Sequence, residues 1–240
     1  MPLQNRINLY DLDREQLGRL LADWGYSDFH AARLWEQLYR ERQASFEAME
    51  PLRPDLREQL QKETILGRLS TQLAIDSTDN LTRKFLLRLQ DGQTIETVLM
   101  RYPGRATVCI STQVGCAMGC VFCATGQMGY IRNLTPGEIV AQVLYVMALL
   151  DEEGDSLRNI VLMGMGEPLH NYNATMTAVD ILTHDSGLAI GPRYITLSTV
   201  GLPAAIRRLA DEERPINLAV SLHAATDAER TALVPINKRW

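Results

Sequence analysis

Four cysteines, four histidines and four phenylalanines are all that the 240 residues hold of these types. In the reducing compartment expected for this chain, four cysteines argue against a disulfide-stapled scaffold. His30, His170, His184 and His223 stand singly, without the paired spacing of a zinc site. No apolar run approaches the ~20 residues of a membrane-spanning helix. VLYVMALL, residues 143 to 150, is bounded by polar residues on both sides. MPLQNRINLYDLDRE lacks the basic-then-apolar pattern of a secretory leader, so a cytoplasmic location and no membrane partner are expected. There is no internal repeat, no low-complexity tract and no G-x-G-x-x-G. After Gly164 and Gly166 come Glu167, Pro168 and Leu169, which makes a Rossmann-type phosphate site a weak reading.

The composition is that of an ordinary globular chain, 46% hydrophobic and 22% charged. The length suits one sizeable core, or a small domain beside a larger one. The net charge of −5 argues mildly against a general nucleic-acid binder, but it is uneven. Leu81 to Thr135 carries +4, from Arg83, Lys84, Arg88, Arg101, Arg105 and Arg132 against Asp91 and Glu96. A basic surface there would suit a polyanionic substrate. On charge alone a solvated hairpin face is the simpler reading.

The pattern divides the chain at 1–75, 76–104 and 105–240. The first part reads as a small helical bundle. Asp11 is the expected cap of LDREQLGRLLADWG, and Trp24, Trp35 and Tyr39 are expected in the core. KFLLRLQDGQTIETVLM, with Asp91-Gly92 at its centre, predicts a β-hairpin linker. From Thr107, strands TVCISTQ, NIVLMGMGEP, RYITLSTVG and INLAVSLHA alternate with helices. The helix from Pro136 has Thr135 as cap and Glu138 at the capping-box position. This succession predicts an α/β fold with a parallel sheet whose polar strand ends face one mouth.

At that mouth, VGCAMGCVFCATG places Cys116, Cys120 and Cys123 at C-x3-C-x2-C spacing. A structural zinc site normally recruits four ligands in two pairs, and no second pair exists. Inert burial is the usual fate of a lone cysteine, not of three so close between glycines. A four-iron, four-sulfur cluster accepts thiolate ligands from such a loop. Three ligands leave one iron open to another molecule.

This spacing, with Phe122 before the last cysteine, resembles the signature of the radical S-adenosylmethionine enzymes. The resemblance implies a [4Fe-4S] cluster whose open iron chelates the methionyl group of S-adenosylmethionine, which is reduced to a 5′-deoxyadenosyl radical. Longer phrases narrow it: STQVGCAMGCVFCATGQMGYIRNLTPGEIVAQV, VLMGMGEPLHNY, ITLSTVG, AVSLHA and VPINK resemble the RlmN/Cfr adenine methyltransferases, and favour the RlmN type. The resemblance covers most of residues 80 to 240, and the helical region is similar to that family's accessory RNA-binding domain.

What it implies is specific. Cys116, Cys120 and Cys123 ligate the cluster. Gly166, Glu167, Ser198, Ser221, Leu222 and His223 line the S-adenosylmethionine site, where Gly164 and Gly166 let backbone approach a ligand. Glu96 matches the acceptor of the adenine C2 proton, and Cys109 matches the cysteine that resolves a covalent protein–RNA intermediate. For Glu96, a solvated strand carboxylate is the reading the residues alone favour; for the serines it is strand-end capping. The implied substrates are 23S rRNA and tRNA, the implied electron donor is a protein such as flavodoxin, and a monomer is expected. The family methylates a carrier cysteine, removes a hydrogen from that methyl, and adds the carbon to adenine C2. A Cfr-like enzyme acting on adenine C8, or a non-catalytic iron–sulfur RNA-binding module, would show the same motifs.

The sequence departs from the family in one respect. The family's carrier cysteine and an asparagine contact to S-adenosylmethionine lie beyond the equivalent of residue 240, and none of the four cysteines is left for the carrier role. Four predicted strands stand where the family barrel has six. The expectation is a fragment of a complete protein, a partial barrel with its fourth strand as an open edge, able to bind the cluster but not to transfer a methyl group.

Overall fold

Helix-forming sequence opens the chain, which the computed structural model describes from residue 6 to residue 239. Residues 1–5 of the expected helical domain, and residue 240, lie outside the described residues. Helix α1 (Arg14–Asp23) is capped by Asp13, not Asp11: the Asp13 carboxylate accepts from Gln16 N at 2.7 Å, and Gln16 returns a bond to Asp13 N. Asp11 instead caps a distant helix, accepting from Gly137 N at 2.8 Å. Helix α2 (Asp28–Trp35) runs into a wider turn over Glu36–Arg40, and α3 (Pro54–Glu63) starts on a proline, whose missing N–H has no helical partner to lose. Trp35 and Tyr39 are buried as expected, while Trp24 is half-buried. Short strands β1 (Ile7–Asn8) and β2 (Thr64–Ile65) pair in parallel and close this part.

The main sheet has seven strands. Strands β3 (Ser70–Asp76), β4 (Thr82–Arg88), β5 (Thr94–Tyr102) and β6 (Arg105–Cys109) are antiparallel neighbours. The expected hairpin is β4–β5, with Gly92 at φ +86° in its turn. Residues 70–75, expected in the helical part, join Asp76 in β3, which extends the hairpin. A small hairpin of β7 (Gln113–Gly115) and β8 (Tyr130–Asn133) follows β6, with the short helix α4 (Ala124–Gln127) inside its loop. Helix α5 (Pro136–Glu153) then crosses to β9 (Leu157–Leu162), α6 (Tyr172–Thr183) to β10 (Ile195–Thr199), and α7 (Pro203–Asp211) to β11 (Asn217–Val220); α8 (Asp227–Leu233) comes last. The order is β11-β10-β9-β6-β5-β4-β3, with β6, β9, β10 and β11 parallel. These are the four expected barrel strands.

Strand alternation sorts the two faces. Val108, Ile160 and Ile195 are buried in the core, which is continuous with that of the helical part. On the other face one register row runs Lys84, Val98, Cys109, Val161, Thr196, Asn217. Strand β11 is the edge on the parallel side, with Leu218 and Val220 40% and 53% exposed.

One buried polar contact fixes where β6 ends. Gln142 of α5 accepts from Thr97 Oγ1 and from Ser111 N, both at 2.8 Å, and donates to the Ser111 carbonyl at 2.9 Å. Gln142→Leu leaves these three buried groups without partners, each costing about 1–3 kcal/mol. The expected result is a lowered urea midpoint, with a loss of stability of at least about 3 kcal/mol in total; an unchanged midpoint contradicts this reading.

Candidate active site

The chain leaves β6 through Ser111, whose hydroxyl donates to the Glu96 carbonyl at 2.6 Å and accepts from Met165 N at 2.9 Å. Hairpin β5, the turn after β9 and the cysteine loop therefore share one anchor. The loop itself is pinched at its base by β7 and β8, which the sequence reading did not anticipate. Gly115, at φ +75°, makes the pinch: a Cβ there would lie 1.9 Å from the Gly129 carbonyl oxygen. Cys116 N donates to that same oxygen at 2.9 Å.

Cys120 is buried, and Cys116 and Cys123 are half-buried. All three pack with Met118, Leu233 and Val234 in one apolar cluster. Burial pushes the Cys116 thiol up to about 11 and raises Cys120, and the neighbouring thiols and Glu167 push in the same direction. Among the described residues no three His, Cys, Asp or Glu side chains converge on the geometry of a single metal ion. Three soft thiol donors spread over one loop fit a multi-iron cluster, whose corners lie apart, better than one zinc ion.

Glycines after β9 were expected to admit a ligand. The space beside them is taken by the chain. A Cβ on Gly164 would lie 2.7 Å from the Ile110 carbonyl oxygen, and one on Gly166 (φ +99°) 2.5 Å from Gln113 Cβ. Gln113 is fully buried. Its Oε1 accepts from Glu167 N at 2.9 Å, and its Nε2 donates to Asn133 Oδ1 at 2.8 Å and lies 2.9 Å from His170 Nδ1. The Glu167 carboxylate is 3% exposed and accepts from Leu169 N at 3.0 Å and Val200 N at 2.9 Å. Burial raises its pKa despite these bonds. Glu167 is thus a strut between the ends of β9 and β10.

Ser198 and Ser221 meet Oγ to Oγ at 3.1 Å across β10 and β11. His223, at φ +65°, packs its ring on Phe122 of the cysteine loop with centroids 4.6 Å apart; Leu222 beside it is exposed. Val121 N donates to the Leu233 carbonyl at 3.0 Å, and Arg230 of α8 bonds the carbonyls of Val200 and Leu222. Helix α8 was missed, although Thr226-x-x-Glu229 is a capping signature and Thr226 accepts from Glu229 N. Gln113, Gln142 and Arg230 were missed too, since a single buried polar residue has no periodicity to reveal it.

Glu96 and Cys109 lie on the same face by strand alternation. Val98 pairs with Cys109, so Glu96 is its diagonal neighbour. The Glu96 carboxylate is exposed and accepts from Lys84 Nζ at 2.9 Å, and Glu96 N meets Met165 Sδ at 3.3 Å. Much of the basic stretch is neutralised, through Arg83–Asp76, Arg101–Glu153 and Arg132 with Asp91 and Glu138.

The chain is similar to known proteins over nearly its whole length. A model of the radical SAM superfamily matches residues 110–240, and one of the ribosomal RNA large subunit methyltransferase N-terminal domain matches residues 7–66. The chain is 62% identical over 240 residues to the dual-specificity RNA methyltransferase RlmN 1 of Myxococcus xanthus, covering 100% of the chain and 67% of that protein. It is 45% identical over 235 residues to the probable dual-specificity RNA methyltransferase RlmN of Bacillus subtilis, covering 98% and 64%. A crystal structure of a radical SAM methyltransferase from Sphaerobacter thermophilus superposes with TM-score 0.93 at 48% identity, over 98% of this chain and 69% of that one. The chain thus spans about two thirds of the length of these relatives.

Burial pushes the Cys109 thiol up to about 11. It is therefore a neutral thiol at pH 8, and its reaction with iodoacetamide in the folded chain should rise about tenfold per pH unit until near that value. Mass spectrometry of the labelled peptide measures this; rapid labelling at pH 8 in the folded chain would contradict it.

Proposed function

We propose, for a chain that belongs to the radical SAM superfamily and within it to the RlmN RNA methyltransferases, that the whole protein methylates C2 of adenine in 23S rRNA and tRNA. The cofactors of this family are a [4Fe-4S] cluster and S-adenosylmethionine. The observation that carries the reading is the meeting of four strand ends at one mouth: the cysteine loop, the Gly166-Glu167 turn, the Ser198–Ser221 pair and the His223–Phe122 contact.

Cys116, Cys120 and Cys123 would hold the cluster, with no fourth cysteine ligand, since Cys109 lies on β6 away from the loop. Gly166, Glu167, Ser198, Ser221, Leu222 and His223 would line the S-adenosylmethionine site. Glu167 holds the turn in shape through Leu169 N and Val200 N rather than presenting a free carboxylate. When bound, these cofactors supply the radical chemistry that an adenine ring carbon, poor in nucleophilic character, requires. Glu96 would accept the C2 proton; its exposed carboxylate stands beside the end of β6, where a base flipped from its stack can reach it. Cys109, diagonal to Glu96, would attack as a thiolate the sulfur of the carrier cysteine, forming a disulfide as the carbon–sulfur bond to the base breaks and the methylene carbon takes a proton; this needs a change in its buried setting.

An electron donor such as flavodoxin, a monomeric state and a cytoplasmic location complete the reading. The 240-residue chain alone holds no further cysteine to carry a methyl group, so it should bind the cluster without methylating RNA. Mass mapping of RNA treated with the whole protein tests the proposal: 2-methyladenine supports it, and 8-methyladenine would assign the protein to Cfr-like chemistry.

Glu96→Gln in the whole protein should lower RNA methylation about 10²–10⁴-fold. Formation of 5′-deoxyadenosine, followed by chromatography, should be largely retained. Equal loss of both, or of neither, would remove Glu96 from proton transfer.

A further inference from the structure

Arg230 of α8 is held unlike the other arginines. Its Nε donates to the Leu222 carbonyl at 3.1 Å, its Nη1 to Asn237 Oδ1 and its Nη2 to the Val200 carbonyl. All three guanidinium nitrogens end on neutral oxygens, from three different segments. Among the described residues no carboxylate lies within 4.0 Å of them. Arg57 and Arg68, which also lack a carboxylate, make one bond each. Arg132 and Arg214 also use all three nitrogens, but on carboxylates. A neutral acceptor orients a guanidinium without cancelling its charge, and that charge is permanent.

The charge stands against the cysteine loop. Val200, whose carbonyl Arg230 holds, packs in the apolar cluster that contains all three thiols, and so do Leu233 and Val234 at the end of α8. Val234 N donates to the Arg230 carbonyl at 2.7 Å, and the Leu233 carbonyl accepts from Val121 N, next to Cys120, at 3.0 Å. Among the charges that act on Cys120, those of Cys123 and Glu167 oppose its thiolate and that of Arg230 favours it. The Glu167 carboxylate and the Arg230 guanidinium grip one residue from opposite ends, at Val200 N and at the Val200 carbonyl. One cation thus faces three thiols and a buried carboxylate.

We infer that Arg230 eases reduction of the cluster by placing a fixed, uncancelled positive charge beside its Cys120 corner. The inference rests on the [4Fe-4S] reading above and adds which residue of the chain tunes the centre. The step takes one electron. The cluster core passes from 2+ to 1+, and a one-electron donor is oxidised: a reduced flavoprotein in the proposed reaction, dithionite in the test. The added electron deepens the negative charge of a half-buried site that already holds three thiolates. Net charge and burial are among the factors that set such a potential. Away from bulk water a neighbouring cation offsets part of that cost. Arg230 is a positioning residue, since it holds the walls of the site and not the reacting atoms.

The test is an anaerobic dithionite titration of the reconstituted whole protein, with the reduced cluster read by electron paramagnetic resonance and its iron counted. R230M should make the reduced form about tenfold less favoured, a midpoint about 59 mV lower for one electron. R230K loses the fork but keeps the charge, and should stay within about threefold of the wild type. N237D leaves Arg230 in place and gives it a counterion. It should lower the midpoint as R230M does, and it decides the matter if R230M loses its cluster. An unchanged midpoint in N237D, or in R230M with its iron intact, would overturn the inference. So would R230K falling as far as R230M, which would leave only a role for the hydrogen bonds. A wild-type protein that takes up no iron and sulfide would overturn the cluster reading itself.

Discussion

The carboxamide of Gln142, buried against Ser111, is the contact on which the site depends. An amide has two donors and two acceptor lone pairs, and here it satisfies both backbone groups of Ser111 as well as the Thr97 hydroxyl. It does so from the middle of α5, a helix otherwise packed by apolar residues. The result is that Ser111 cannot shift relative to the helix. Its hydroxyl is then free to tie two more elements, taking the N–H of Met165 and giving its proton to the Glu96 carbonyl. In a buried setting these bonds strengthen one another, and breaking one exposes several groups at once.

From that anchor the rest of the mouth follows by short steps. Gln113, two residues on, fixes the Glu167 backbone and the β8 strand that closes the cysteine loop. Glu167 carries the tie to Val200 at the end of β10, and Arg230 carries it from Val200 to the segment after β11. Each strand end is thus held by a side chain from a neighbour, not by its own turn. A loop of three thiols needs such support, since a cofactor site must be rigid before it is filled. The exposed face of β11 marks where this tie system stops among the described residues.

Much of this was legible in the sequence, for physical reasons. The alternation of strand and helix signals located the four parallel strands, because buried strands and amphipathic helices impose periods that survive in the residues themselves. Thr135, Pro136 and Glu138 announced α5 through a local rule, and the helix starts there. The cysteine spacing told of its chemistry because thiols that close must share a purpose. What failed was nonlocal. Asp11 looked like the cap of the next helix, but Asp13, two residues on, directly precedes it, and Asp11 serves a helix 126 residues away. Gly164 and Gly166 were correctly singled out as close-approach positions, but what approaches them is the chain at 110–113. The β7–β8 hairpin carries too few residues for a period to show, and β3 is exposed along its whole length, so no buried alternation marks it.

The measurement that bears most directly on the account is electron paramagnetic resonance of the anaerobically reconstituted and reduced chain, recorded before and after adding S-adenosylmethionine. If Cys116, Cys120 and Cys123 hold a cluster with one iron left open, the reduced signal is that of a [4Fe-4S] centre and it changes when the cosubstrate binds. A signal that ignores S-adenosylmethionine, or a protein that takes up zinc and no sulfide, would contradict the account.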